Sequence, residues 1–143
     1  MSVTDPTYTS GDLDTVTRTL WGEARGESKA GKQAVAWVIK NRVLSPKTWW
    51  GKDYASVCRA KFQFSCWNPN DPNYPFLSGS RQIPKSEYQE CEDAALLVLA
   101  NYLPDITLGA THYYARSIPA PPWTKGATRT VQIGSHIFYK DVP

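Results

Sequence analysis

A chain of 143 residues with 41% hydrophobic and 20% charged residues has the size and composition of one globular domain, long enough to bury roughly two thirds of its unfolded surface around a single core. It contains no apolar run near the ~20 residues of a membrane span, and its first fifteen residues, MSVTDPTYTSGDLDT, show neither a basic start nor an apolar h-region, so membrane insertion and a secretory leader are not expected. A net charge of +3 is too small for a dedicated nucleic-acid binder, although its sign suits an anionic polymer.

The elements follow in chain order. Residues 1 to 9 read as a polar tail. Ser10 or Asp12 is placed to cap a helix whose apolar positions Leu13, Val16, Leu20 and Ala24 fit a 3.6-residue period, and Gly26 should stop it. A second helix, capped by Ser28, runs through KAGKQAVAWVIKNRVLS with Ala34, Val35, Val38 and Ile39 facing the core, until Pro46 prevents continuation. The two form a hairpin with a very short hinge. From Lys47 to Lys85 the chain is rich in Trp, Pro, Asn, Asp and Gly, the composition of a long structured loop region, and such loops usually carry function. A third helix is predicted over residues 84 to 103, with Pro84 near its first turn and Tyr88, Cys91, Ala95, Leu96, Leu99 and Leu103 as its apolar stripe. It should pack beside the second. The last third, THYYA and then TRTVQIGSHIFYK around a Pro-rich IPAPPW, alternates β-branched and aromatic residues, which predicts two or three short strands. The expected class is α+β, helices first and a small antiparallel ribbon last, in one domain over residues 1–143.

Cys58, Cys66 and Cys91 show no CxxC spacing, which disfavours a zinc site with His112 and leaves buried thiols or one Cys58–Cys66 bridge. No cofactor or metal is implied, and neither HExxH nor a Ser-His-Asp pattern is present. His112 and His136 read as structural histidines before they read as catalysts. Six Trp, eight Tyr and four Phe are many for this length, and several fall in predicted loops, where aromatic faces can stack on ligand rings.

Two carboxylates stand out in LWGEARGE, residues 20 to 27. Glu23 lies three residues after Leu20 and seven after Val16, so it shares their stripe. Burial there and the negative end of the helix dipole both disfavour its charge, which suits a general acid. The plainer alternative is a half-exposed glutamate paired with Arg25 or Arg42. Glu27 follows the helix-ending glycine and could accept hydrogen bonds from the start of the second helix or pair with Arg42.

The stretch WGEARGESKAGKQAVAWVIKNRV resembles the signature of SleB-type cell-wall hydrolases, the family of spore-cortex-lytic enzymes and several phage endolysins. FQFSCW at 62 to 67, GATHYYA at 109 to 115, Trp123 and IGSHIFYK at 133 to 140 follow in the family's order. The resemblance covers roughly residues 13 to 140. It implies a lysozyme-like helical domain that cleaves the glycan strand of peptidoglycan, with the first glutamate of the motif, Glu23, as catalytic acid. Glu27 and Arg42 then have structural roles near the site. Gln63, Phe64, Ser65 and Trp67, together with His112, Tyr113, Tyr114 and Trp123, are the expected substrate-binding residues, one of the two tyrosines being core. The absence of the wall-binding repeats carried by the spore enzymes suggests a compact phage lysin, monomeric, made in the host cytoplasm and acting on the wall from the periplasm after holin-dependent release.

A hydrolase of this kind needs a second carboxylate ~5 to 9.5 Å away, and only Asp53 and Asp71 are candidates. A lytic transglycosylase uses one glutamate twice and leaves a 1,6-anhydro ring, and the resemblance points to it. The rival from another class is a peptidoglycan-binding or virion structural module without activity.

Overall fold

The computed structural model describes residues 5–47, 50–60 and 63–143. Part of the expected tail, and Phe62 of the FQFSCW stretch, lie outside the described residues. Helix α1 spans Ser10–Ala24, and its cap is Thr9, one residue earlier than expected. The Thr9 hydroxyl accepts from the Asp12 amide, while the Asp12 carboxylate accepts from the Thr9 amide. Asp12 is therefore the third residue of a capping box, and not itself the cap. Its other oxygen accepts from the Ala55 amide at 3.2 Å, tying the loop region to α1. Val16, Leu20 and Ala24 are buried as the periodicity requires.

Helix α2, Lys29–Leu44, begins at the expected cap, with Ser28 accepting from the Gly31 amide. Ala34, Val35, Val38 and Ile39 are wholly buried. The segment after it is more ordered than a loop: α3 (Tyr54–Arg59), a single 3-10 turn at Ser65–Trp67 and α4 (Tyr74–Ser78) punctuate it. These helices are too short to leave a periodic trace. Helix α5, Lys85–Leu99, packs against both α1 and α2. Its buried stripe is Cys91, Ala94, Ala95, Val98 and Leu99. Leu96, assigned to that stripe, is 40% exposed, and Leu103 lies beyond the helix end. The shift arises because α5 fits into the groove between two helices, which selects small residues at 94 and 95.

Strands β1 (His112–Ala115), β2 (Thr128–Ile133) and β3 (His136–Lys140) form an antiparallel sheet in the order β1-β3-β2. Tyr113 pairs with Phe138 and Tyr114 with Ile137. Neighbouring strand residues point to opposite faces, so the sheet has an inner face carrying Tyr113, His136 and Phe138. Ala34, Val38, Ala110 and Phe138 form the small core that fixes it to α2. A larger core joins α1, α2, α3 and α5.

Gly22, inside α1, would ordinarily cost about 0.5–1 kcal/mol relative to alanine. A Cβ there would stand 2.7 Å from Cys66 Cβ and 2.9 Å from its sulfur. The glycine lets the 3-10 turn at Ser65–Trp67 press against the last turn of α1, and so places Cys66 beside the next residue, Glu23.

Candidate active site

Glu23 projects from the last turn of α1, half-buried, and meets the sheet. The Tyr113 hydroxyl donates to Glu23 Oε1 at 2.6 Å. The Cys66 thiol lies beside it: burial first, then the interaction with Glu23, push this thiol well above its ordinary range. It stays protonated beside the carboxylate. Burial, followed by the same carboxylate, likewise holds the Tyr113 phenol far above its usual range. Glu23 is thus held by the Tyr113 hydroxyl, a donor at all physiological pH, with a protonated thiol beside it. Neither expected arginine pairs with it directly. Arg25 donates to the Trp21 carbonyl and to Asn73 and stacks over the Trp21 ring. Arg42 donates to the Thr111 carbonyl and to Gln63.

Glu27 has a different office. Its Oε1 accepts from the Ser135 amide at 2.9 Å, in the turn between β2 and β3. At the start of α2 the Lys32 ammonium donates to the Glu27 carbonyl at 2.6 Å, whereas the carboxylate takes Ser135 and not Arg42, the other partner considered from sequence. The motif's second carboxylate instead latches the sheet to the helix hinge. Gly134 makes this possible: its φ is +58, and a Cβ would stand 2.5 Å from Glu27 Oε1. His136 Nδ1 lies 4.0 Å from the same oxygen.

The other predicted residues fall into three groups. His112, Tyr114 and Trp123 form an aromatic wall on the outer face, with His112–Trp123 centroids 5.2 Å apart and Tyr114–Trp123 6.0 Å apart. Tyr139 joins it, stacked on Tyr114 at 5.9 Å, and Trp50 packs edge-on to His112 at 5.4 Å. Sequence reading missed both, and the strand alternation that separates Tyr113 from Tyr114 was the signal available for Tyr139. A hollow of about 350 Å³ is lined here by Arg42, Trp50, Gln63, His112, Tyr113 and Trp123, among others. The second group borders another hollow of about 380 Å³ with Arg59, Trp67, Tyr74 and Leu77. There the Trp67 indole donates to Thr19 and carries Arg59 over its face. Phe64 stands apart: it is 2% exposed, packed under the Arg42 guanidinium, and contributes to the core where a sugar platform was expected. Ser65 is exposed at the start of the 3-10 turn. Cys66, which no sequence argument selected for the site, is the member of FQFSCW that touches Glu23.

Asp53 and Asp71 are both engaged in local structure. Asp53 caps α3, accepting from the Ser56 amide, which lowers its carboxyl below the ordinary range. Asp71 accepts from the Asn73 amide at 2.8 Å. The three cysteines are buried free thiols, so the bridge considered between Cys58 and Cys66 is not formed. Among the described residues no group of His, Cys, Asp and Glu is placed to hold a metal ion, and no helix is long and apolar enough to cross a membrane.

Burial, and then the nearby Arg42 and Lys47, depress His112 from 6.5 to about 4. The unfolded imidazole takes a proton below about 6.5 and the folded one only near 4, so acidification across that window favours the unfolded chain. The melting temperature should therefore fall as pH drops through it. In His112→Gln the fall should be shallower, which thermal melts at several pH values would measure.

A family model described as cell wall hydrolase matches residues 26–139. The spore cortex-lytic enzymes of Bacillus subtilis (strain 168) and Halalkalibacterium halodurans are 26% and 28% identical over 131 residues, 92% of this chain in each case. These residues span 38% and 35% of those proteins, so the chain corresponds to little more than a third of their length. The solved catalytic domain of the germination-specific lytic transglycosylase SleB from Bacillus anthracis aligns over 96% of this chain and 100% of its own, with TM-score 0.68 and 24% identity. The catalytic domain of SleB from Bacillus cereus aligns over 97% and 98%, with TM-score 0.64 and 24% identity. The fold is that of these domains, a lysozyme-like arrangement of helices with a small three-stranded sheet. With the match running through both aromatic hollows and the latch at Glu27, the chain belongs to the cell wall hydrolase family.

Proposed function

We propose that the protein cleaves the MurNAc–GlcNAc bond of peptidoglycan as a lytic transglycosylase, with Glu23 as its single catalytic residue. The observation that carries this reading is one half-buried carboxylate, fixed by the Tyr113 hydroxyl, while both candidate partner carboxylates are spent on local turns. Glu23 gives its proton to the glycosidic oxygen as the C1–O bond breaks. The resulting carboxylate takes the proton of the muramic C6 hydroxyl, and that oxygen closes on C1 to form the 1,6-anhydro ring. No water is consumed. The hollow beside Trp123, Trp50 and His112 and the one beside Trp67 and Tyr74 offer rings on which sugars can stack. The name of the similar Bacillus anthracis domain, a germination-specific lytic transglycosylase, supports the same chemistry.

Mass spectrometry of fragments released from purified sacculi tests it. New muramic ends should be one water lighter than reducing ends and inert to borohydride. Predominantly reducible muramic ends would mean hydrolysis with a recruited aspartate. A protein that releases no soluble glycan would be a binding module.

A further inference from the structure

We propose that His136 is a positioning residue for the acid: its imidazole, wedged between the Glu27 carboxylate and the Tyr113 ring, holds the phenol where it donates to Glu23. The proposal rests on the reading of Glu23 given above. His136 is 8% exposed, and its ring centroid lies 4.7 Å from that of Tyr113. Its Nδ1 is buried without a hydrogen-bond partner among the described residues, 4.0 Å from a Glu27 oxygen that already accepts from Ser135. An unsatisfied buried nitrogen is costly. If His136 only filled space against Tyr113 and Phe138, an apolar ring would do so without that cost. Retaining the nitrogen makes sense if its attraction to Glu27 sets the position of the ring, and through it of the phenol.

The carboxylates that face His136 are Glu27, from the hinge before α2, and Glu23, from α1, with Tyr113 packed on it from β1. Burial outweighs the two carboxylates and holds the imidazole below its usual range. It is neutral near neutral pH. In acid the imidazolium is drawn onto Glu27 and off the Tyr113 ring, which loosens the phenol's hold on Glu23.

Steady-state kinetics and NMR titration of the imidazole test this together. In His136→Phe, kcat on sacculi should fall about tenfold with KM unchanged and melting temperature not lowered, a split that lost packing would not give. In His136→Asn, whose amide nitrogen stands near the Nδ1 position, part of that kcat should return. The wild-type acid limb of kcat should be missing from both. By NMR, the His136 pKa should drop in Glu27→Gln and in Glu23→Gln, a readout that needs no activity. Full kcat with an unchanged acid limb in His136→Phe would overturn the proposal, as would an imidazole titration unmoved by either glutamate variant. A wild-type protein that cut no glycan would instead sink the catalytic reading of Glu23, with the titration still deciding whether the coupling exists.

Discussion

Glu23→Gln is expected to lower glycan release from sacculi by at least about a hundredfold, the least that loss of a positioned general acid removes, with little change in melting temperature. The amide has the shape of the carboxyl, and its oxygen can still accept from the Tyr113 hydroxyl, which now lies 2.6 Å from Glu23 Oε1. What it lacks is a proton to give. Glu27→Gln is the necessary companion. Its amide oxygen can still accept from the Ser135 amide, so activity should fall only in part, by no more than the about tenfold expected of His136→Phe, with a lower melting temperature as the latch weakens. The pair matters because the family match begins at residue 26, which includes Glu27 and leaves Glu23 outside. Near-wild-type activity in Glu23→Gln, or complete loss in a stably folded Glu27→Gln, would reverse the two roles.

What was legible in the sequence was whatever local chemistry decides. Ser28, Gly26 and Pro46 bounded α1 and α2 because caps and breakers act within one turn. The alternation HYY required one of the two tyrosines to turn inward for the same reason, and the structure makes it Tyr113. The first cap was misplaced by one residue because Thr9, Ser10 and Asp12 are all cap formers, and the choice rests on the reciprocal bonds between Thr9 and Asp12. Partners distant in sequence were not legible. The Glu27 latch joins residues 108 apart, and the Tyr113 contact joins residues 90 apart. Arg42 was the natural partner for either glutamate on charge alone, yet the Thr111 carbonyl and Gln63 occupy it. Burial holds its guanidinium down to about 10, still cationic at neutral pH. Cys66 had no signal at all: its proximity to Glu23 depends on the missing Cβ of Gly22, a relation between two helix-packing surfaces that composition does not encode.

Tyr113→Phe is the other substitution expected to have a large effect, a fall in kcat of about ten- to a hundredfold, as a hydrogen bond to a charged group is worth about 1.5–3 kcal/mol. KM and melting temperature should change little, since the phenylalanine ring keeps the contacts of Tyr113 with His136 and Phe138. The phenol is the donor that holds Glu23, and a thiol such as that of Cys66 beside it donates only weakly. Without the hydroxyl the carboxylate gains freedom at the moment it must face the glycosidic oxygen. It also loses the donor that stabilises its charge between giving the first proton and taking the second. A double-mutant cycle separates this account from the sequence expectation that Tyr113 binds sugar. If the phenol acts only through Glu23, Tyr113→Phe should cost nothing further in the Glu23→Gln background. A further loss of residual activity or of glycan affinity there would mean that Tyr113 touches substrate itself, and unchanged kcat in the single variant would reduce the 2.6 Å bond to a structural contact.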